Sequence, residues 1–158
     1  MNSAEPAGRN VPDDNSSGQR FVTFDIGKNY YCLPADDVSE ISHPLPITKL
    51  PRVSTQIAGI APLRGEILAV VDLRQLLGEE RSAPTSKTKF VVLGSSGPEC
   101  QIALPVDRIR DVAVIAPESV SDPKEGQVLV AGVAKTTSRT LNILDTGRIR
   151  VAFAEQKV

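Results

Sequence analysis

The chain has 158 residues, enough for one domain of ordinary size or two very small ones that share a core, and its 41% hydrophobic and 23% charged residues are typical of a globular protein. With a net charge of -1, the protein has no excess of positive charge to bind the phosphate backbone of a nucleic acid. Aromatic residues make up only 4% and include no Trp, so few rings are available for base stacking, and composition argues against nucleic-acid binding. No apolar run approaches the roughly 20 residues of a membrane span, the N-terminus lacks the apolar segment of a secretory signal, and two cysteines are too few for a disulfide framework. Together these features predict a cytoplasmic protein with no direct membrane insertion.

The N-terminal half begins with a segment that has almost nothing to bury. Residues 1–19 are rich in Gly, Pro, Ser, Asn and Asp and are expected to form a disordered tail. The stretches "RFVTFDIG" and "YYCLP" then predict two strands joined by a turn. "ADDVSEI" predicts one helical turn, with Val38 and Ile41 on one side. "SHPLPITKLP" carries three prolines and predicts an extended connector.

A hairpin is predicted in the next part of the chain. "IAGIA" and "ILAVVDL" are rich in β-branched residues and too short for buried helices, so both are predicted to be strands. Gly65 supplies the positive φ that a tight turn between them requires. "RQLLG" is then expected to form a short helical turn that ends at Gly78, with Asp72 as its cap.

The second half repeats this order. "KFVVLGSSGPECQIALPVDRIRDVAVI" predicts a strand, a Gly/Ser turn, a strand, a short "VDRI" turn and a strand. "VLVAGVAKTTSRTLNILDTGRIRVAF" predicts a closing strand–turn–strand unit, in which Asp145 is a further cap.

Two alignments within the chain indicate a duplication. "CLPADDVSEI" matches "ALPVDRIRDV" 71 residues later, and "IAGIAPLRGEILAVVDLRQL" matches "VAGVAKTTSRTLNILDTGRI" 73 residues later without a gap. One copy alone would bury only about 60% of its surface, so two copies that share an apolar seam would be far more stable. The sequence therefore predicts two copies of a small all-β unit.

The chain has few residues that could bind a metal or act as a nucleophile, and their spacing matches no known metal-binding or catalytic motif. Cys32, Cys100 and His43 show no metal-ligand spacing, and the chain contains no recognisable motif for nucleophilic catalysis. Asp36, Asp37 and Asp72 resemble the acidic pocket of a phosphoacceptor domain, but the crossover helices of a parallel sheet are missing from the pattern. We therefore expect no enzyme activity, no cofactor and no metal.

Surface binding remains as the functional class. An uncovered strand edge or the seam between the copies would offer apolar patches to a partner. On composition, Arg64 at the hairpin tip is either a solvated turn residue or an interface anchor, because its planar fork of donors suits hydrogen bonding across an interface.

The stretches "VSEI", "ITKLP" and Gly59 through "LRG" to "VVDLR" resemble the CheW family, the coupling proteins of bacterial chemosensory arrays. The resemblance runs through residues 20–154, which it implies form one CheW-like domain made of two intertwined subdomains. It implies an all-β fold of two SH3-like five-stranded barrels packed around a shared hydrophobic core, with short helical turns.

The resemblance also implies a function and a set of binding residues. Such a protein is a non-enzymatic adaptor that links the cytoplasmic tip of a chemoreceptor to the regulatory domain of a CheA-type histidine kinase, and it joins other CheW-like proteins in rings. Positions that match partner-binding segments of the family are Val38, Glu40, Ile41, Gly59, Leu63, Arg64 and Ile67. The alternative is a stand-alone small β-barrel that binds a small ligand or an unrelated protein.

Overall fold

In a computed structural model of the protein, the structure describes residues 18–51, 56–80, 82–94 and 101–156. The strands in these ranges are β1 (Gln19–Ile26), β2 (Asn29–Pro34), β3 (Val38–Ser42), β4 (Ile57–Leu63), β5 (Glu66–Val71), β6 (Lys89–Leu93), β7 (Ile102–Val106), β8 (Arg108–Ile115), β9 (Val120–Ser121), β10 (Val130–Lys135) and β11 (Thr140–Leu144). The helices are α1 (Leu73–Leu76) and α2 (Thr146–Gln156), with 3₁₀ turns at Ala35–Asp37 and Pro117–Ser119. The predicted all-β class is confirmed.

The strands form two sheets. The six-stranded sheet has the order β8-β1-β2-β11-β10-β9, and the five-stranded sheet has the order β3-β6-β7-β5-β4. Neighbouring strands are antiparallel except in two places, where β2 runs parallel to β11 and β5 runs parallel to β7. The sixth strand, β9, has only two residues and extends a five-stranded plan that both sheets share.

The predicted duplication is visible in the strand order. When β1 to β5 are matched in turn with β6, β7, β8, β10 and β11, the order β8-β1-β2-β11-β10 becomes β3-β6-β7-β5-β4. The first copy comprises β1–β5 and the second β6–β11. The β1–β2 hairpin of the first copy therefore lies in the sheet built mainly from the second copy, and the β6–β7 hairpin of the second copy lies in the sheet built mainly from the first. Both parallel contacts join one copy to the other, so neither copy completes a sheet alone.

The core has the same twofold plan. One cluster, with Cys32 and Leu141, is formed by side chains of the six-stranded sheet. Another, with Leu68 and Phe90, is formed by side chains of the five-stranded sheet. The largest cluster takes Phe24, Ile26 and Leu33 from the first sheet, Val91, Leu93 and Leu104 from the second, and Leu73 and Ile149 from the helices. Full burial of one such aliphatic or aromatic side chain contributes about 1.5–3 kcal/mol. The shared hydrophobic core that was predicted between the two units is therefore present.

Three local predictions are wrong. The helical turn at "ADDVSEI" is confined to the 3₁₀ turn, and Val38–Ser42 is a strand because it pairs with β6. Val38 consequently packs against the shared core while Ile41 is 41% exposed, so the two do not lie on one buried side. The "VDRI" turn is a single bend at Asp107 between two strands. The end of the chain forms the eleven-residue helix α2 rather than part of a strand unit.

Two other predictions fall largely outside the described residues. The "GSSG" turn includes residues 95–97, which the structure does not describe. Of the predicted tail, only residues 18 and 19 are described, and Gln19 already begins β1.

Candidate protein-binding surface

The β4–β5 hairpin carries the most distinctive backbone of the candidate site. Arg64 has φ +51° and Gly65 has φ +83°, and both lie between the paired residues Leu63 and Glu66. Two central residues with positive φ define a type I′ turn, whose twist matches that of antiparallel strands. The prediction that Gly65 has positive φ is confirmed. Arg64 also adopts the left-handed conformation, which is disfavoured by about 1–2 kcal/mol for a residue with a Cβ.

Arg64 is held by a carboxylate of its own chain. Its guanidinium donates to both carboxylate oxygens of Glu40, and this hydrogen bonding raises the pKa of Arg64 above its usual value. Glu40 lies on β3 and Arg64 follows β4, which are the two edge strands of the five-stranded sheet. The ion pair therefore joins opposite edges of one sheet, so the sheet must curl towards a closed barrel. The Arg64 side chain is still 68% exposed, and that of Glu40 is 28% exposed.

A backbone contact beside this pair closes the same gap. The connector after β3 forms a bridge in which Thr48 and Ile60 exchange two backbone hydrogen bonds of 2.8 and 2.9 Å. Gly59 lies directly beneath it with φ +148°, and a Cβ there would lie 2.2 Å from the Thr48 carbonyl oxygen. The chain's own connector therefore packs closely against Gly59, which is buried.

The seven predicted binding residues lie on two elements, β3 and the β4–β5 hairpin, which we call the hairpin–edge region. Ile41 and Ile67 are large apolar side chains that are 41% and 55% exposed. Val38 and Leu63 are half-buried and pack against core clusters, so they support the region from beneath. The region therefore presents an exposed guanidinium and a carboxylate, with exposed isoleucines on the same two elements.

A second ion pair occupies the corresponding place in the other sheet, and the sequence reasoning missed it. Asp111 on β8 is the residue aligned with Glu40, and it accepts hydrogen bonds of 3.1 and 3.2 Å from Arg139 in the β10–β11 loop. Thr23 also donates to Asp111, and this hydrogen bond, followed by those from Arg139, lowers the pKa of the carboxyl group. The Glu40/Asp111 match was a usable signal, but Arg139 is not aligned with Arg64.

The residues considered for catalysis lie in unsuitable places. Cys32 is fully buried within the six-stranded sheet, whereas His43 is exposed in the connector after β3. Burial raises the pKa of the Cys32 thiol to about 12, so the thiol is protonated at neutral pH. The described residues contain no group of three or more His, Cys, Asp or Glu side chains placed to hold a metal ion. No helix in this part of the chain is both long and apolar enough to cross a membrane.

Comparison with known proteins identifies the family. A family model described as "CheW-like domain" matches residues 20–152. The chemotaxis protein CheW of Bacillus subtilis is 26% identical over 140 residues, which cover 84% of this chain and 87% of that protein. Protein FrzA of Myxococcus xanthus is 28% identical over 135 residues, with 83% and 84% covered.

A solved structure agrees with these relatives. The scaffolding protein TtCheW from Thermoanaerobacter tengcongensis superposes with a TM-score of 0.74 at 27% identity, covering 81% of this chain and 89% of that one. The match supports the two SH3-like β subdomains predicted from the sequence. On the strength of its strand order, its shared core and a family match that spans most of its length, the chain belongs to the CheW-like family.

Proposed function

We propose that the protein is a scaffold that couples chemoreceptors to a CheA-type histidine kinase in a chemosensory array. The observation that carries the proposal is the CheW-like match over residues 20–152, which includes both sheets and the hairpin–edge region. In this proposal residues 20–154 act as one unit that binds and does not catalyse. It works in the cytoplasm, at membrane-associated arrays that it reaches through its partners.

The hairpin–edge region supplies the chemistry for one of these contacts. Arg64 keeps donor groups exposed although Glu40 orients it, and an arginine fixed before binding loses little side-chain entropy when a partner carboxylate or carbonyl arrives. Ile41 and Ile67 add exposed apolar area of the kind that protein interfaces cover. We propose this region as a docking site for the kinase regulatory domain or the receptor tip.

Bridging requires a second contact on the same molecule. A candidate for it is the other sheet, because each sheet has an edge strand and a hairpin joined by an ion pair, Glu40–Arg64 in one case and Asp111–Arg139 in the other. Two partners, or alternating copies of CheW-like proteins in a ring, would then contact different sheets of one molecule that share a hydrophobic core.

The proposal is tested by capture of the chain on an immobilised kinase regulatory domain and on a receptor cytoplasmic fragment. We expect saturable binding to the kinase domain at micromolar concentrations and a loss of about tenfold or more in Arg64→Asp. Lys87→Asp is the matched control, because Lys87 is exposed in the linker before β6, outside the hairpin–edge region. Failure of the wild-type chain to bind kinase or receptor would refute the function.

A charge swap separates closure of the sheet from contact with a partner. In Glu40→Arg/Arg64→Glu the ion pair is restored in reverse, so thermal stability should return towards the wild type while partner binding stays weak. Binding that recovers together with stability would show that the pair acts only within the fold. Unchanged binding in Arg64→Asp would remove Arg64 from the interface.

A further inference from the structure

A wide polar cavity of about 680 Å³ opens on the six-stranded sheet, away from the hairpin–edge region. It lies between the tip of the β1–β2 hairpin and the β10–β11 hairpin, with part of the connector before β10 as a third wall. None of the seven predicted binding residues lines it. Its size falls within the range of ligand sites, about 300–1,000 Å³.

The cavity concentrates positive charge in a chain that is nearly neutral overall. Lys28, Lys124, Lys135 and Arg139 line it, and no Asp or Glu is among the described residues of its wall. Arg139 is paired with Asp111, but the three lysines form no ion pair with any residue that the structure describes. Since the net charge of the whole protein is -1, this grouping is a local feature and not a consequence of composition.

The polar wall around the lysines is already ordered. The Arg139 guanidinium lies 5.5 Å from the centre of the Tyr30 ring, and the Arg139 backbone N–H donates to the Thr136 hydroxyl at 3.1 Å. Asn142 donates its amide to the Tyr30 carbonyl at 3.0 Å. The nearby Glu79 carboxylate accepts 2.6 Å hydrogen bonds from Asn29 and Tyr31, two residues of the wall. A ligand therefore meets a fixed rim, with the lysines as its adjustable groups.

We propose that this cavity binds an acidic peptide segment of a partner protein. The site is open and largely polar, so apolar burial contributes little, and a single exposed ion pair is worth little in water. In an extended chain every second side chain faces the same side, so several carboxylates of an acidic run can face the wall that carries Lys28, Lys124 and Lys135. This contact differs from the docking at the hairpin–edge region, although it shares Arg139 and the β10–β11 loop with the second partner contact proposed above.

The test uses fluorescence anisotropy with labelled hexaglutamate, and with hexaglutamine as the uncharged peptide. We expect the wild-type chain to bind hexaglutamate and not hexaglutamine, with affinity that falls as salt shortens the screening length. Lys28→Gln/Lys124→Gln/Lys135→Gln should weaken binding by about tenfold. The matched control is Arg20→Gln/Lys49→Gln/Lys87→Gln, which removes three exposed positive charges outside the cavity and should change affinity by less than about twofold.

Amide chemical shifts locate the contact independently of the variants. Hexaglutamate should move the signals of Lys28, Thr136 and Ser138 and leave those of the β4–β5 hairpin in place. An equal loss of affinity in both triple variants would show a general charge effect and overturn the proposal. So would tight binding of inorganic triphosphate at the same signals without binding of the peptide, because the site would then suit a small phosphorylated ligand.

Discussion

Substitution of Gly59 by alanine gives a sharp test of how the five-stranded sheet is closed. The backbone there has φ +148°, a region that residues with a Cβ rarely adopt and that costs about 1–3 kcal/mol. The new Cβ would also lie 2.2 Å from the Thr48 carbonyl oxygen and 2.8 Å from the Ile47 side chain. Because a backbone atom must move, overpacking adds about 1–3 kcal/mol. We expect Gly59→Ala to lower the free energy of unfolding by about 2–6 kcal/mol.

Gly65→Ala is the matched control, because Gly65 also has positive φ but, among the described residues other than its two chain neighbours, no atom lies within 4 Å of its added Cβ. It should cost about 1–2 kcal/mol, from the backbone conformation alone. Urea unfolding measures both values, and only in Gly59→Ala should hydrogen exchange at the Thr48 and Ile60 amides accelerate by more than the loss of global stability explains. Equal losses in the two variants would refute the claim that the connector packs closely against Gly59.

Further predictions concern the Asp107–Arg74 ion pair and the buried Cys32 thiol. Asp107→Asn should lower the free energy of unfolding in urea by about 1–3 kcal/mol, because Asp107 pairs with the largely buried Arg74 and accepts a hydrogen bond from the Gly27 N–H. Asp122→Asn, at an exposed site, is the control and should change stability little. Equal losses in the two variants would contradict this prediction. In a Cys100→Ser background, Cys32 should resist a thiol reagent at pH 8 until the protein unfolds, since its thiol is buried; rapid reaction of the folded protein would contradict it. The folded pKa of Cys32, about 12, lies above the unfolded value near 9, so its contribution to stability is fully present below pH 9 and is lost between pH 9 and 12. Cys32→Ala should therefore lose less stability over that range, and a steeper loss would show that the sign is wrong.

Features set by neighbouring residues could be predicted from the sequence. Gly65 at the hairpin tip, the side-chain caps of Asp72 and Asp145, and Gly78 after α1 all follow from local backbone geometry. The duplication was visible because both copies retain the same apolar positions, and matched pairs such as Leu33 and Leu104 or Leu68 and Leu141 are buried alike in the two sheets.

Features that depend on distant pairing could not be predicted in this way. The exchange of hairpins between the sheets and the Glu40–Arg64 contact both require knowledge of which strands become neighbours. The "VSEI" segment is compatible with a helical turn on its own and becomes a strand because β6 pairs with it. Helix α2 was missed although its signal was present, since Ile149, Ala152 and Phe153 follow helical spacing and pack against the shared core.

The most direct test of the central claim is kinase activity in a reconstituted system. Receptor fragments assembled on vesicles and a CheA-type kinase should show receptor-controlled autophosphorylation only when this chain is added, and Lys87→Asp should support it as well as the wild type. Receptor control that is equally strong without the chain, or a chain that binds neither component, would contradict the account.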